Sequence, residues 1–420
     1  MEAQLDPIFQ AAVDSKKTPG VAAVALDATG KVLFSKGYGH TLIDPESPAV
    51  TVDSPLRIFS CTKLLTTIAA LQLVEQGKLD IMTNVEEYLP EISKIQLLRG
   101  FNEDGSPDLA APTKKPTILN LMTHTSGFSY DFFDKKTKQY RKAMGQPSTF
   151  EGPHNGMEQY TTPFVLEPGS GYIYGVSTDW LGFVIQKVSG LPLATYIEQN
   201  ILMPLDMKNS GVDMSHENWE KFMVIHAKDP AGNLAALPPM MFKNSDLIGG
   251  GGYLFTTAND YSQLLLTVLN GGTHPLTKVV LLQEGTVKNF LFTDMIPTVG
   301  CSPKGIGEVT VATPMASREG TILPGVEKGH SCGLLLANSP VPNGRSKGSG
   351  SWAGLSNSYY WIDPAAGKLG LIVNAVIPWM DKDLLHLADA LERAVYDKPA
   401  AKEVGEPGSN FSGGNYKIDV

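Results

Sequence analysis

The sequence predicts an α/β fold in which strands from both ends of the chain form one antiparallel sheet with helices packed on it. Two segments rich in β-branched and apolar residues near the N-terminus, joined by a glycine-containing turn, have the pattern of a hairpin. Further strand patterns lie near the C-terminus, and the long segment between the two groups has mostly helical patterns. A chain of 420 residues is long enough for a sheet domain that carries a second, inserted domain.

The N-terminal elements follow from local patterns. The segment DPIFQAAVDSKK is predicted to form a short amphipathic helix. Strands are predicted at 21–26 and 32–39, around a turn at 27–30. A helix is predicted over 62–76, because apolar residues recur there at helical spacing and Gly77 stands where a helix usually ends.

The remaining elements divide the chain into domains. Residues 83–244 are predicted to form a mostly helical insertion domain, since apolar helical segments alternate there with Pro, Gly and Asn. Residues 1–82 and 245–400 then form the sheet domain, with strands in SCGLLLANS, SNSYYWIDPAAG and KLGLIVNAV and a closing helix in DKDLLHLADALERAVYD. The tail at 401–420 is predicted to be flexible.

Composition excludes several classes of function. The net charge of -9 and the absence of any Lys/Arg-rich run argue against a nucleic-acid partner. No apolar run is long enough to predict a membrane span, and the first residues do not resemble a secretion signal. The three cysteines fit no zinc motif, so we expect no metal site and a reducing, cytoplasmic location.

The segment RIFSCTKLLTTIAALQLVEQGK places Ser60 and Lys63 at the front of the predicted helix. Residues three apart on a helix share a face, so the Lys63 amine would lie near the Ser60 hydroxyl. A lysine whose pKa is lowered by desolvation can take the proton of a serine and make it a nucleophile. The competing interpretation is a helix-capping serine followed by a solvated lysine.

Two further segments favour the catalytic interpretation. Tyr174 lies in the turn PGSGYIYG before a predicted helix, where a phenol could relay protons if a nearby ammonium lowered its pKa. In GSGSWAGLSNSYYWIDP, small residues flank Trp352 just before a predicted strand. Small residues let the backbone approach a ligand, so an N–H group there could bind an oxyanion together with the N–H of Ser60. The alternative for Tyr174 is a structural tyrosine, and the alternative for the Trp352 segment is an ordinary glycine turn.

The order S-x-x-K, then Tyr, then a small-residue strand motif resembles the serine β-lactamase and penicillin-binding protein superfamily. More narrowly, RIFSCTKLLTTIAALQLVEQGKLDI, LMTHTSGF, PGSGYIYGVSTDWLG, GGGGYLFTTANDY and GSWAGLSNSYYWIDP resemble the class C-like esterases and transesterases. The segment GFNEDGSPDLAAPTKKPTILNLMTHTSGF and the late IPWMD resemble a fungal subgroup that includes lovastatin-type acyltransferases.

The resemblance implies a β-lactamase/transpeptidase-like fold and specific roles. Ser60 would be the acylated nucleophile, with Lys63 and Tyr174 as the pair that moves its proton. The N–H groups of Ser60 and Leu355 would form the oxyanion hole. Substrate-binding residues would be Trp352, Ala353 and Gly354, in the place of the Lys-Thr-Gly triplet of β-lactamases, together with Tyr172 and Trp379.

The resemblance further implies acyl transfer from a small-molecule ester or thioester to water or an alcohol, with no cofactor. An acyl carrier protein is a further candidate partner, and secondary metabolism a candidate setting. Aromatic residues near the motifs indicate a hydrophobic substrate, and the alternative is that many of them belong to the core. They are Phe128, Tyr130, Phe132, Phe133, Tyr172, Trp352, Tyr359, Tyr360 and Trp361.

Some residues depart from the family pattern. Trp352 replaces the cation that would hold a β-lactam carboxylate, and Val176 replaces an amide side chain near Tyr174, so β-lactamase activity is expected to be weak at most. Cys61 is interpreted as a small packed residue, and His124 in THTSG as structural. The same fold could also serve as a catalytically silent binding protein, or as an enzyme recruited to cyclisation or isomerisation.

Overall fold

The computed structural model describes residues 1–150, 156–238, 248–342, 344–405 and 409–413. Its helices are α1 (Glu2–Asp14), α2 (Thr62–Glu75), α3 (Val85–Tyr88), α4 (Ile118–Met122), α5 (Lys135–Ala143), α6 (Ser177–Ser189), α7 (Leu193–Ile197), α8 (His216–Glu220), α9 (Ala258–Leu269), α10 (Glu284–Thr286), α11 (Ile296–Val299) and α12 (Lys382–Val395).

Strands come from the first and last thirds of the chain, with short pairs between. They are β1 (Gly20–Asp27), β2 (Val32–Gly39), β3 (Leu56–Arg57), β4 (Leu97–Phe101), β5 (Pro107–Ala110), β6 (His226–Lys228), β7 (Leu234–Ala236), β8 (Phe255–Thr256), β9 (Glu308–Val309), β10 (Gly320–Ile322), β11 (Lys328–His330), β12 (Leu335–Ala337), β13 (Gly350–Gly354), β14 (Ser358–Asp363), β15 (Lys368–Asn374), β16 (Val376–Ile377) and β17 (Phe411–Gly413).

The main sheet is antiparallel and has seven strands in the order β11-β12-β13-β14-β15-β1-β2. The N-terminal hairpin joins the C-terminal strands where Val21 pairs with Asn374 and Asp27 with Lys368. The predicted antiparallel sheet built from both chain ends is therefore confirmed. Because β1 is buried along nearly its whole length, both of its faces must be covered by helices.

Helices cover the two faces of this sheet. Helices α1 and α12 pack against each other, and α1 also packs against β2 while α12 packs against β15. Helix α9 packs against β1, β14 and β15. Helix α2 packs against α6 and α7 of the middle region. It is buried on almost every side, as expected of a helix that is apolar around its circumference. Its position places the Ser60 and Lys63 segment in the interior, between the sheet and the middle region.

The middle region contains the helices that the sequence predicts, together with short strands that it does not. Helix α6 corresponds to the predicted segment STDWLGFVIQKVSG and ends at Gly190 in the left-handed conformation. The hairpin β4-β5 and the hairpin β6-β7 are additions, and β6 pairs in parallel with β16. The division at 244/245 lies outside the described residues, and the three-part domain division remains a prediction.

Two local expectations differ from the structure. Trp352 and its small neighbours do not precede a strand: they form β13 itself, held between β12 and β14. Within the tail expected to be flexible, Phe411–Gly413 forms β17, which pairs with β10 and buries the Phe411 side chain. Tertiary pairing and one buried aromatic ring thus order segments whose local sequence predicts no strand. None of the described helices has the length and apolar character of a membrane span.

Candidate active site

Ser60 lies at the junction between β3 and α2. Strand β3 pairs with β8, and the chain then turns through a short 3₁₀ segment, Phe59–Cys61, that leads directly into α2. Phe59 has a φ of 47°, a left-handed conformation that costs a non-glycine residue about 1 kcal/mol. The turn leaves Ser60 partly exposed on the wall of a cavity while its neighbour Cys61 is fully buried.

The Lys63 amine is buried beneath Ser60 and has three hydrogen-bond acceptors. Its Nζ lies 3.2 Å from Ser60 Oγ, 3.1 Å from the Tyr130 hydroxyl and 2.8 Å from the carbonyl oxygen of Gly251. None of these three acceptors is a carboxylate, so none of them stabilises the positive charge of the amine by an ion pair. The predicted contact between Ser60 and Lys63 is present in the structure.

Burial decides the protonation of Lys63. Loss of hydration lowers the pKa of Lys63 to about 8, even though the nearby Asp179 carboxylate acts to raise it. Asp179 is itself buried, and it accepts hydrogen bonds from the Tyr130 hydroxyl (3.0 Å) and the Gly251 N–H (2.8 Å). Tyr130 and Gly251 therefore stand between the amine and the carboxylate, and an appreciable fraction of Lys63 is neutral at a pH near this pKa.

Tyr174 contacts Ser60 from the other side. Its hydroxyl donates a hydrogen bond of 2.7 Å to Ser60 Oγ. Burial raises the pKa of Tyr174 above its usual value, while hydrogen bonds with Ser60 and Trp352 only partly oppose this. The lowered phenol pKa on which the relay interpretation of Tyr174 depends is therefore not found, and burial favours the neutral, protonated phenol.

An aromatic cluster fixes the ring of Tyr174. Trp352 packs edge-on against it at 5.3 Å, and His124 at 4.8 Å, while the His124 and Trp352 rings are stacked at 6.0 Å. The carbonyl oxygen of His124 also accepts a hydrogen bond from the N–H of Ile173. Burial holds the pKa of His124 well below its usual range, so this imidazole is neutral and packs as a structural residue.

The end of β13 lies against the Ser60 turn. A Cβ atom at Gly354 would come within 2.3 Å of the Ile58 carbonyl oxygen, so only glycine permits this approach. Leu355, whose N–H is the predicted second oxyanion donor, follows directly and lines the same cavity as Ser60. The structure thus brings together the two segments that the oxyanion prediction requires.

Ser60 opens into a cavity of about 370 Å³, which is in the range of small-molecule sites. All five predicted substrate-binding residues line it: Tyr172, Trp352, Ala353, Gly354 and Trp379. Of the nine aromatic residues singled out in the sequence, only Phe128 lies away from the cavity, in the core. The walls are predominantly apolar, as a hydrophobic substrate requires.

Three participants in the Lys63 network were missed by sequence reasoning: Tyr130, Asp179 and Gly251. Asp179 could have been found, because a lone carboxylate in the apolar segment STDWLGFVI needs a buried partner. Gly251 lies in the glycine run 249–252, and a Cβ atom there would come within 2.6 Å of the Asp179 carboxylate. Tyr130 carries no local signal that separates it from its aromatic neighbours.

Val176 and Cys61 are both core residues. Each is fully buried, and neither lines the cavity. Val176 precedes α6 and offers no polar group to a substrate. Burial raises the pKa of the Cys61 thiol, which makes it a packed, unreactive group as interpreted from the sequence.

This geometry is that of a candidate serine acyl-transfer site, and the comparisons with known proteins show the β-lactamase/transpeptidase-like fold that carries it. The family model described as Beta-lactamase matches residues 5–377, and the chain belongs to that family. Its similar relatives are esterases and acyltransferases, so the chain is an enzyme of the serine hydrolase and acyltransferase type.

Particular relatives narrow this class. The lovastatin esterase of Penicillium rubens is 31% identical over 94% of this chain and 99% of the relative. The monacolin J acid methylbutanoyltransferase of Aspergillus terreus is 28% identical over 93% of this chain and 95% of the relative. The unliganded simvastatin synthase from Aspergillus terreus superposes with a TM-score of 0.79 at 27% identity, covering 94% of this chain and 97% of that structure.

Proposed function

We propose that this protein transfers acyl groups in two steps through an ester of Ser60. The observation that carries the proposal is the position of Ser60 Oγ, which lies 2.7 Å from the Tyr174 hydroxyl and 3.2 Å from the Lys63 amine. A serine with both a proton acceptor and a proton donor in contact is equipped for nucleophilic catalysis. The apolar cavity around it supports an organic acyl donor.

In the acylation step, neutral Lys63 takes the Ser60 proton as Oγ attacks the carbonyl carbon of the donor. The N–H groups of Ser60 and Leu355 donate hydrogen bonds to the carbonyl oxygen and stabilise the negative charge that develops on it. As the bond to the leaving group breaks, Tyr174 gives its proton to the departing oxygen or sulfur atom and regains one from Lys63. Deacylation repeats these transfers in reverse, with water or an alcohol as the nucleophile.

The substrate class is inferred from the cavity and the relatives. Donors are carboxylic esters or thioesters of small hydrophobic molecules, since the cavity walls are predominantly apolar and aromatic. The relatives named above include an esterase and a methylbutanoyltransferase, so both water and a hydrophobic alcohol are candidate acceptors for this chain. An acyl carrier protein remains a candidate donor, and secondary metabolism a candidate setting.

The test is the intact mass of the protein after brief exposure to a short-chain activated ester. We expect a gain of one acyl group that is absent in Ser60→Ala, together with loss of ester turnover in that variant. Adding a small hydrophobic alcohol should divert product from the free acid to the new ester. Full turnover by Ser60→Ala would overturn the proposal and favour a recruited, non-acyl chemistry. No acylation and no turnover in the native protein would favour a silent scaffold.

A further inference from the structure

The cavity does not end at Ser60 but continues to the opposite face of the main sheet. Strand β12 pairs with β13 only at Gly350 and Ser351, so within the described chain the edge of β13 from Trp352 to Gly354 faces no strand on that side. The cavity lining runs from Ser60 past this edge to Ala353 and Trp361, and then to Ala388 of α12. We call the part beyond β13, lined by Ala353, Tyr359, Trp361, Ala388, Arg345 and Glu392, the inner arm.

The inner arm lies between the sheet and α12. Ala353 pairs with Tyr359, and Ser351 with Trp361, so these four side chains project from one face of the sheet. Ala388 and Glu392 are one helical turn apart and face them from α12. Phe411 of β17 packs against Tyr359 at 5.1 Å and closes one side. Along most of its length the inner arm is therefore apolar.

The far end of the inner arm is polar. Arg345 Nε donates a hydrogen bond of 2.8 Å to Glu392 Oε1, and both side chains are almost completely buried. Arg345 Nη1 and Trp361 Nε1 are buried donors with no hydrogen-bond partner among the described residues. Buried donors normally have acceptors, so each of these two groups offers a hydrogen bond to an oxygen atom of a ligand in the arm. Because Glu392 already neutralises Arg345, a neutral oxygen suits this end better than a carboxylate.

We propose that the inner arm holds the acyl chain of the donor and favours chains that carry a neutral oxygen, such as a ketone or hydroxyl group, near their distal end. This proposal rests on the acyl-transfer function proposed above. The leaving group and the acceptor must exchange through the open mouth of the cavity while the acyl group stays attached to Ser60. An arm that extends into the interior between the sheet and α12 therefore suits the acyl chain, which remains in place through both steps.

The first test uses Ala388→Leu, which places a larger side chain inside the arm, and Ala390→Leu as its matched control. Ala390 is equally buried on the same helix but does not line the cavity. The measured quantity is the ratio of kcat/KM for octanoyl and acetyl esters of one nitrophenol. We expect Ala388→Leu to lower this ratio by at least about tenfold, since burial of several methylene groups is lost. Ala390→Leu should leave the ratio unchanged.

The second test removes one donor. Trp361→Phe loses the indole N–H, and we expect the preference for 7-oxooctanoyl over octanoyl esters to fall about three- to tenfold, the worth of one hydrogen bond. If Trp361→Phe does not change this preference, the part of the proposal that concerns an oxygen near the distal end of the acyl chain is wrong.

Three outcomes would overturn the arm itself. The first is an octanoyl/acetyl ratio that does not change in Ala388→Leu. The second is a ratio that falls equally in Ala390→Leu. The third is a kcat/KM change in Ala388→Leu that depends on the chain length of the alcohol part of the ester instead of the acyl part. The proposed function is tested separately by acetylation of Ser60 in the native protein. If acetyl-Ser60 forms and the ratio does not move, only the arm assignment fails. If acetyl-Ser60 does not form, the proposed function fails first.

Discussion

Two buried lysines in this protein have opposite electrostatic surroundings. Lys228, in β6, lies 2.9 Å from Asp381 and 2.8 Å from Asp383. The hydrogen-bond acceptors of Lys63 among the described residues are two hydroxyl groups and one carbonyl oxygen. Tyr130 and Gly251, which contact Lys63, donate hydrogen bonds to the Asp179 carboxylate. Burial opposes the charge of both amines, but the two carboxylates outweigh it at Lys228, whose pKa is raised. At Lys63 burial wins, and the pKa falls to about 8.

Burial alone therefore does not make a lysine a base. A direct carboxylate contact keeps the amine charged and structural, as at Lys228. Placing the carboxylate one hydrogen bond further away, as at Lys63, leaves the amine neutral often enough to accept a proton near neutral pH. The position of Asp179 is the feature that separates the proposed catalytic lysine from the structural one in this chain.

Removing the titratable amine at position 63 should have the greatest consequence for activity. Lys63→Arg keeps a positive charge but cannot act as a base, because guanidinium does not lose its proton in this range. We expect kcat/KM for an acetyl ester to fall about 10²–10⁴-fold. The matched control is Lys228→Arg, which should change ester turnover less than about twofold. Equal losses in the two variants would contradict the distinction between the lysines.

The structural lysine should show its effect in stability. Lys228→Met leaves the buried Asp381 carboxylate without its cation, while Asp383 keeps its ion pair with Lys17. We expect the free energy of unfolding to fall by about 3–5 kcal/mol. Urea unfolding followed by circular dichroism measures this change, and ester turnover of the folded fraction checks that the active site is intact. A variant that unfolds at the native urea midpoint would show that the pair contributes little.

The carboxylate near Lys63 should set the pH range of activity. Because Asp179 acts to raise the pKa of Lys63, Asp179→Asn should lower it further, and the rise of activity should move to lower pH. The measurement is kcat/KM for an acetyl ester over a pH series that extends well to both sides of the Lys63 pKa. A rise that moved to higher pH would reverse the assigned role of Asp179.

A weaker effect is expected from the phenol between Lys63 and Asp179. Tyr130→Phe removes a hydroxyl that accepts from Lys63 and donates to Asp179, so turnover should fall about three- to tenfold. Tyr196→Phe serves as the control, since Tyr196 is a buried tyrosine on α7 that does not line the cavity. If both variants lose the same activity, the loss reflects general packing rather than the Lys63 network.

Local sequence predicted much of this architecture. The hairpin β1-β2, helix α2 and the late strands β14 and β15 all follow from periodicity and turn residues. Strand β13 did not, because glycine, serine and alanine carry little strand preference and pairing with β12 and β14 holds them in place. The late strand β17 likewise depends on a distant partner, β10.

The candidate site was predicted unevenly for the same reason. Ser60 and Lys63 are three residues apart, so a helical pattern is enough to place them together. Tyr130 and Asp179 reach Lys63 from distant parts of the chain, and only the packed structure shows that they meet. The direction of the pKa shift of Tyr174 also depends on its burial, which no local motif indicates.

The role of Lys63 as the base is tested most directly by the rate of acyl-Ser60 formation as a function of pH, followed by intact mass in the native protein and in Ser60→Ala. With Lys63 as the base, the rate should rise with pH around a midpoint of about 8, because the neutral amine is the active form. No mass gain should occur in Ser60→Ala. A rate that is constant across this range, or an acyl group that persists on Ser60→Ala, would contradict catalysis by Ser60 and Lys63.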